Sequence, residues 1–322
     1  MKQTPQLSLS AIQMAARRKI LANLAMLATV LIWGGSYISI KVVVAEVPPI
    51  TMAAVRFLLA SLLLYLLLRR IEPGARLARR DLPRIALAGL MGVTLYFCFE
   101  NSGVKLTTAS NASIIAALVP ILSVLLDMIV FRSRPRPLHF IGIGLALAGT
   151  WLAVTANGQI DFSSGVLAGN FLMVAAMVAW TFYTLLSKSL QARYSSLAMI
   201  TWQTMAGTAF LVPAALIDIG QWHSISWVSA ANILFLAVLC SALCYLLYAF
   251  ALRELDVTIT TVYLNLVPVV GVVAGAIILR ESILPIQMLG GLVIIAGIAV
   301  VNAPRFGALL RRRSDNEPAK LE

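Results

Sequence analysis

The chain has 322 residues, of which 60% are hydrophobic and only 12% charged, with a mean hydropathy of +0.91. A soluble domain carries roughly 25% charged residues, so a soluble enzyme, a disordered tail and a disulfide scaffold are all excluded as the main reading. The net charge is +12, from 25 Lys and Arg against 13 Asp and Glu. Such an excess first raises the question of which membrane face holds the cations.

A helix needs about 20 apolar residues to cross about 30 Å of hydrocarbon. Ten such runs are predicted, at 20–40, 50–68, 84–103, 107–131, 138–156, 164–187, 196–217, 230–252, 258–279 and 284–303. They read as helices because lipid offers the backbone no other partners. The basic start, Ala15-Ala16-Arg17-Arg18-Lys19, mimics a signal peptide. The run behind it is long enough to span and nine more follow, so it is taken as the first span. The stretch from Phe306 is Arg-rich, then acidic and polar, and reads as a mobile tail. Cys98, Cys240 and Cys244 all lie in apolar runs, which argues against a disulfide framework.

Alternate loops share the cations unequally. The N-terminus, the loops near residues 69–84, 132–136, 188–193 and 253, and the C-terminus hold 21 Lys and Arg. The other face holds only Lys41, Lys105 and Arg280, while Arg56 sits inside a span. This split predicts an even number of spans and both termini in the cytoplasm. It explains the basic balance without nucleic acid.

The chain also repeats itself. Residues 113–153 overlay 261–301 at an offset of 148 without a gap, pairing Pro120 with Pro268, Gly142 with Gly290 and Gly149 with Gly297. Upstream, an offset of 147 pairs Trp33 with Trp180, Lys41 with Lys188 and Arg56 with Gln203. Five spans per half put the second copy into the membrane the other way up. The fold expected is thus an all-α integral membrane protein of ten transmembrane helices, a 5+5 inverted-topology repeat of the kind that serves secondary transporters. Its parts are a cytoplasmic segment 1–19, repeats 20–156 and 164–303, and a cytoplasmic tail 304–322.

The residues that carry this pattern resemble a known family. Trp33-Gly34-Gly35-Ser36, the stretch from Glu100 to Lys105, Thr108 to Ala112, Leu118-Val119-Pro120, and Leu266-Val267-Pro268 running to Arg280-Glu281 are similar to the drug/metabolite transporter superfamily, in particular its ten-helix EamA branch. The resemblance implies a central cavity lined by spans 1, 3, 4, 6, 8 and 9, and export of small metabolites such as amino acids. One departure stands out: Arg132-Ser133-Arg134 occupies the place of Arg280-Glu281-Ser282, so the acidic residue is present only once.

Candidate solute-binding residues follow from depth and chemistry. Trp33, Tyr37, Tyr96, Trp180, Tyr183, Tyr245 and Tyr263 fall near the middle of their spans, whereas membrane Trp and Tyr favour the interfaces. Packing is the alternative for each. Asn111 and Asn265 supply neutral polar groups for a polar solute, and Asn170 reads as an interhelical hydrogen bond. Glu100 is a carboxylate within a span, a candidate coupling site by default. Arg56 can bind a carboxylate, snorkel, or form a structural ion pair with Glu100, the last being preferred. Lys41 reads as an interface anchor, Asp127 as a partner of Arg132 or Arg134. Pro120 and Pro268 are candidate hinges, because mid-helix proline removes a backbone bond.

No Walker A pattern, HExxH or GxSxG is present, and His139 and His223 lie near span ends. The sequence therefore points away from an enzyme or an ATP-driven pump, and no cofactor or metal is expected. The partners expected are a small-molecule solute and membrane lipids, in the plasma (inner) membrane. A facilitator without proton coupling is the alternative reading.

Overall fold

A computed structural model of the chain describes residues 9–131, 137–154, 165–191, 193–222, 224–255, 260 and 263–315. Those residues are all-helical, with no strand among them. In chain order the helices are α1 (Leu9–Val43), α2 (Pro49–Ile71), α3 (Leu82–Gly89), α4 (Tyr96–Leu106), α5 (Ala109–Ala116), α6 (Val119–Phe131), α7 (Pro137–Val154) and α8 (Gly165–Lys188). Then come α9 (Ser196–Ala214), α10 (Trp227–Phe235), α11 (Cys244–Glu254), α12 (Val267–Ile278) and α13 (Pro285–Asp315). Six helical stretches are long and apolar enough to cross a membrane, and shorter apolar helices accompany them. Their outward faces are apolar: Leu31, Leu62, Leu66, Val273 and Ile277 are all exposed. Water would penalise that surface heavily, whereas hydrocarbon accepts it.

The outer ends of the chain differ from expectation. Helix α1 begins at Leu9 and α13 runs to Asp315, so helix occupies much of the segments read as a basic leader and a tail. Strong helix formers (Ala, Leu and Arg) fill both stretches and carry the helix past the apolar run. At about 1.5 Å per residue, the 31 residues of α13 exceed the hydrocarbon thickness.

Four spans depart from a uniform α-helix, and they do so in pairs. Between α3 and α4 the backbone runs as a π-helix over Leu90–Leu95, and between α10 and α11 over Leu236–Leu243. Helices α5 and α6 are separated by a turn at Ala117-Leu118, and α12 is preceded by a turn at Asn265-Leu266. The two turns sit at the 148-residue offset of the repeat. Pro120 and Pro268 therefore lie in the first turn of new helices, not inside kinked ones. Proline is tolerated there because the first N–H groups of a helix have no intrahelical partner. The break between helices is the dipeptide before each Val-Pro.

Contacts between the halves follow the pattern of an approximate two-fold axis. Ser61 on α2 and Thr208 on α9, 147 residues apart, hydrogen-bond to each other at 2.8 Å. Repeat-equivalent residues touch in this way only near the axis relating them. Helices α7 and α13 repeat the pattern: a Cβ on Gly149 would meet the carbonyl of Gly290 at 2.5 Å, and a Cβ on Gly297 that of Gly142 at 2.6 Å. The glycine pairs matched in the sequence are thus reciprocal contacts that bring two helix backbones together. Because the obstacle is backbone, Gly149→Val is expected to cost about 1–3 kcal/mol, read as a lower unfolding midpoint in detergent. Gly144, on the same helix with nothing within 4 Å of its Cβ position, is the control: Gly144→Ala is expected to hold or raise the midpoint.

Candidate functional site

Helices α1, α4, α8 and α11 bring most of the mid-span aromatics together. The Trp33 ring lies 5.7 Å from both Tyr245 and Tyr248. Trp180 lies 5.0 Å from Tyr96, 5.0 Å from Tyr183 and 6.2 Å from Tyr245. Tyr37 is buried beside Tyr96 and Glu100. Rings from the first 150 residues thus meet rings from the second 150. Tyr248 was not singled out in the sequence, although it lies one helical turn from Tyr245 and so shares its face.

The π segments seat this cluster. The Trp33 indole donates to the carbonyl of Cys240, inside the second π segment, at 3.0 Å. Gly92, inside the first, would collide with the Tyr183 ring at 2.4 Å if it carried a Cβ. Gly34 beside Trp33 has the same role toward α12, since a Cβ there would meet Val270 at 2.5 Å. π-bulges recur at functional sites.

Two charged side chains border the rings. Glu100 is 4% exposed and accepts the Tyr96 hydroxyl at 2.6 Å. Arg56 is 3% exposed, donates from Nε to Ser241 Oγ at 2.8 Å, and sits with its guanidinium carbon 4.5 Å from the Phe97 ring centre. No nitrogen of Arg56 comes within ion-pairing distance of Glu100, so the expected ion pair is not formed. Tyr96 and Ser241 occupy the groups instead. Gln203, the repeat partner of Arg56, accepts the Tyr183 hydroxyl at 3.2 Å and donates to Ser187 at 2.9 Å.

Other candidates lie elsewhere. Tyr263 donates to Asn23 at 2.9 Å and packs with Ala22, Met26 and Ala251. Asn111 accepts from Gln287 on α13 at 2.8 Å, and its own amide reaches Thr107. Asn265 is half-buried on the turn before α12. Asn170 accepts Thr107 Oγ1 at 2.7 Å, the interhelical bond expected. The side chains of Asp127 and Pro120 fall outside the described residues, as do Arg132 and Arg134. An open, apolar cleft of about 440 Å³ between α2 and α9, lined by Leu58, Met205 and Val212 among others, is distinct from the ring cluster.

The sequence missed the joint between α4 and α5. Lys41, read as an interface anchor, instead donates to the carbonyls of Val104 at 2.9 Å, Lys105 at 3.1 Å and Thr107. These oxygens end α4. The Glu281 carboxylate accepts from the N–H groups of Ala109 at 2.9 Å and Ser110 at 3.0 Å, and from Ser110 Oγ at 2.6 Å. These donors begin α5. Arg280, with φ at 53°, turns the chain back so that Glu281 can reach them. Gly275 leaves the room, since a Cβ there would meet Glu281 at 2.9 Å. Cation at a helix C-terminus and carboxylate at an N-terminus both oppose the helix dipole. Two further carboxylates cap helices across the halves. Asp218 accepts from the N–H groups of Ile50 and Thr51 at the start of α2, and Glu46 from Ser226 at the start of α10.

Charged loop residues gather at the two ends of the helices. Lys41, Lys105 and Glu281 gather at one end. At the other, Asp81 pairs with Arg193 at 2.6 Å, and Glu72 accepts from Ser195.

Residues 20–155 and 167–303 each match the EamA-like transporter family. The chain belongs to that family. An uncharacterized transporter of Archaeoglobus fulgidus is 32% identical over 85% of this chain and 95% of its own. A probable terminal-alkyne amino-acid exporter of Streptantibioticus cattleyicolor is 29% identical, over 92% and 97%. A probable amino-acid metabolite efflux pump of Salmonella typhimurium is 26% identical, over 89% and 95%. A crystal structure overlays with a TM-score of 0.64 at 20% identity, over 92% of this chain and 99% of the other, a likeness of fold. As an EamA-family protein the chain is a multi-pass membrane transporter.

Two expectations follow from the joint and its neighbours. Glu281→Ala removes three bonds to a helix start and is expected to cost about 2 kcal/mol, with Glu281→Asp retaining part of the loss; a wild-type unfolding midpoint for Glu281→Ala would contradict the capping role. The hydrogen bonds from Ser226 hold the Glu46 carboxyl below its ordinary value of 4.5. Its contribution is therefore full above about pH 4.5 and is lost as pH falls through the lowered folded value. The difference in midpoint between wild type and Glu46→Gln is expected to be constant from neutral pH to about 5 and to shrink below the ordinary glutamate range.

Proposed function

We propose that this chain exports small organic metabolites, amino acids among them, by alternating access around the aromatic cluster. The observation that carries this reading is the make-up of the cluster. Trp33, Tyr37 and Tyr96 come from one repeat; Trp180, Tyr183 and Tyr245 come from the other. A solute held between repeats is exposed to one side or the other as the repeats rock. On this reading the units are residues 20–156 and 164–303, flanked by 1–19 and 304–322. The protein resides in the plasma membrane with both termini cytoplasmic, and the turns before Pro120 and Pro268 are the articulation. The export direction and the amino-acid class are supported by the two relatives bearing those names.

Glu100 is the proposed coupling residue. It is the carboxylate buried at the ring cluster, and a buried carboxylate in a span can take up and release a proton as its surroundings change. Tyr96, which bonds it, also packs against Trp180, so a solute that moves the rings disturbs the Glu100 contact directly.

The test is flux through proteoliposomes of the purified protein, with a panel of amino acids and amines, with and without a proton gradient. Saturable counterflow is expected from wild type. Glu100→Gln is expected to keep counterflow and to lose uphill transport driven by the gradient. Gradient-driven transport at wild-type rate in Glu100→Gln would remove Glu100 from the coupling role. Equal uphill failure in wild type would favour the facilitator. No saturable flux for any panel member would overturn the solute class.

A further inference from the structure

Arg56 is a charge without a counterion. It is 3% exposed, and arginine stays protonated at any physiological pH. Its Nε is used by Ser241, but Nη1 is buried with no hydrogen-bond partner. Among the described residues no carboxylate lies within 4.0 Å of it. Glu100 is near enough to feel its charge, yet gives its bond to Tyr96. The faces of Phe97 and Phe57, at 4.5 and 5.2 Å, offset part of the cost by cation–π attraction. They do nothing for the orphaned N–H edge. A buried cation left in this state is strongly unfavourable, so the arrangement is one that an anion completes.

We infer that Arg56 is the carboxylate-binding residue of the solute site, and that it makes the protein selective for solutes with one carboxylate and an apolar body. The inference rests on the transporter reading above and names the chemistry its site selects. The guanidinium fork matches a planar carboxylate better than any other side chain does. Its position fits an end of the ring cluster: Phe97, beneath the guanidinium, lies 4.6 Å from Tyr96, which packs against Trp180. A carboxylate on Arg56 leaves the rest of the solute to run along those rings.

The repeat sharpens the selectivity. At the equivalent place in the other half stands Gln203, neutral and already bonded to Tyr183 and Ser187. The site therefore has one cationic end and one neutral end. A monocarboxylate or a zwitterionic amino acid satisfies it. The corresponding amide, ester or amine leaves Arg56 unpaired. A dicarboxylate brings a second charge into apolar surroundings with no cation to meet it.

The test compares binding across three matched series with the full chain in detergent. Leucine, methionine and phenylalanine are each set against their amides and their decarboxylated amines, with 3-phenylpropionate as a carboxylate lacking the amine. Tryptophan fluorescence and thermal shift are the readouts. The acids, 3-phenylpropionate included, are expected to bind at least about tenfold more tightly than the amide or amine of the same body, the range for a hydrogen bond to a charged group. In Arg56→Gln the preference is expected to collapse. Arg56→Lys keeps a buried cation without the fork, so it serves as the folded control and is expected to keep part of the preference. Equal binding of acid and amide by wild type overturns the inference, as does failure of every carboxylate to bind. A preference unchanged in a folded Arg56→Gln overturns it too. The counterflow assay separates the two readings. Flux of amines without carboxylate preference leaves the transporter standing and this inference refuted. Carboxylate-selective binding without flux does the reverse.

Discussion

A helix that ends against packed protein must have its backbone ends satisfied, because buried N–H and C=O groups have no water to do it. This chain stops between Leu106 and Ala109, and two charges of opposite sign close the gap. Lys41 meets the carbonyls that end α4, and Glu281 meets the N–H groups that begin α5. Each charge faces the helix pole it favours. They also lie close enough to attract each other. Lys41 comes from α1 and Glu281 from the loop between α12 and α13, so the joint gathers the first, middle and last parts of the chain. Asn111, Gln287, Thr107 and Asn170 extend it into α13 and α8. Polar residues that look individually like solute ligands are in this setting the fastening of a turn between two helices.

Once that joint is fixed, the ring cluster acquires its geometry. Helix α4, held at its end by Lys41, carries Tyr96, Phe97 and Glu100 on successive positions about one turn. The π segments before α4 and α11 rotate those helices relative to a continuous α register. That rotation lets Tyr183 lie on Gly92 and lets the Trp33 indole take a carbonyl of the opposite half. Small side chains at Gly34 and Gly92 and large rings around them are one packing solution: the rings fill what the glycines leave.

Much of this was legible in the residues, and what was not has a physical reason. Apolar runs made the all-helical membrane fold legible, since that signal averages over many residues. Trp33, Tyr96, Trp180 and Tyr245 were found because rings in mid-span are out of place for ordinary membrane helices. Tyr263 shows the limit: its depth is similar, but it faces Asn23, and depth along a span carries no information about azimuth. The turns before Pro120 and Pro268 were read as kinks because Ala117-Leu118 is as apolar as its neighbours, and hydropathy does not register a lost hydrogen bond. The π segments left no mark for the same reason. Lys41 was assigned outward because a lone lysine near a span end has water within reach. Only the three-dimensional return of α4 offers it carbonyls instead. Glu281 was visible as the acid that one repeat has and the other lacks, yet its use as a cap requires the sequence-distant start of α5.

That single acid gives the two halves unequal roles. Ser61 and Thr208 touch across the axis, and the paired glycines of α7 and α13 are reciprocal, so the packing framework obeys the two-fold relation. The charges do not. In the repeat alignment Arg56 corresponds to Gln203, and Glu281 to Ser133. Serine cannot supply the two oxygens and the negative charge that fasten Ala109 and Ser110. If a carrier's two closures were built from identical halves, they would be equal in free energy and neither side would be favoured at rest. Here the end around Lys41 and Glu281 and the end around Asp81 and Arg193 are held by different sets of charge-assisted bonds, each stronger than a neutral bond. On the proposed carrier reading, the solute and the proton must then supply the difference at the centre, where Arg56 and Glu100 stand beside the same rings without touching each other.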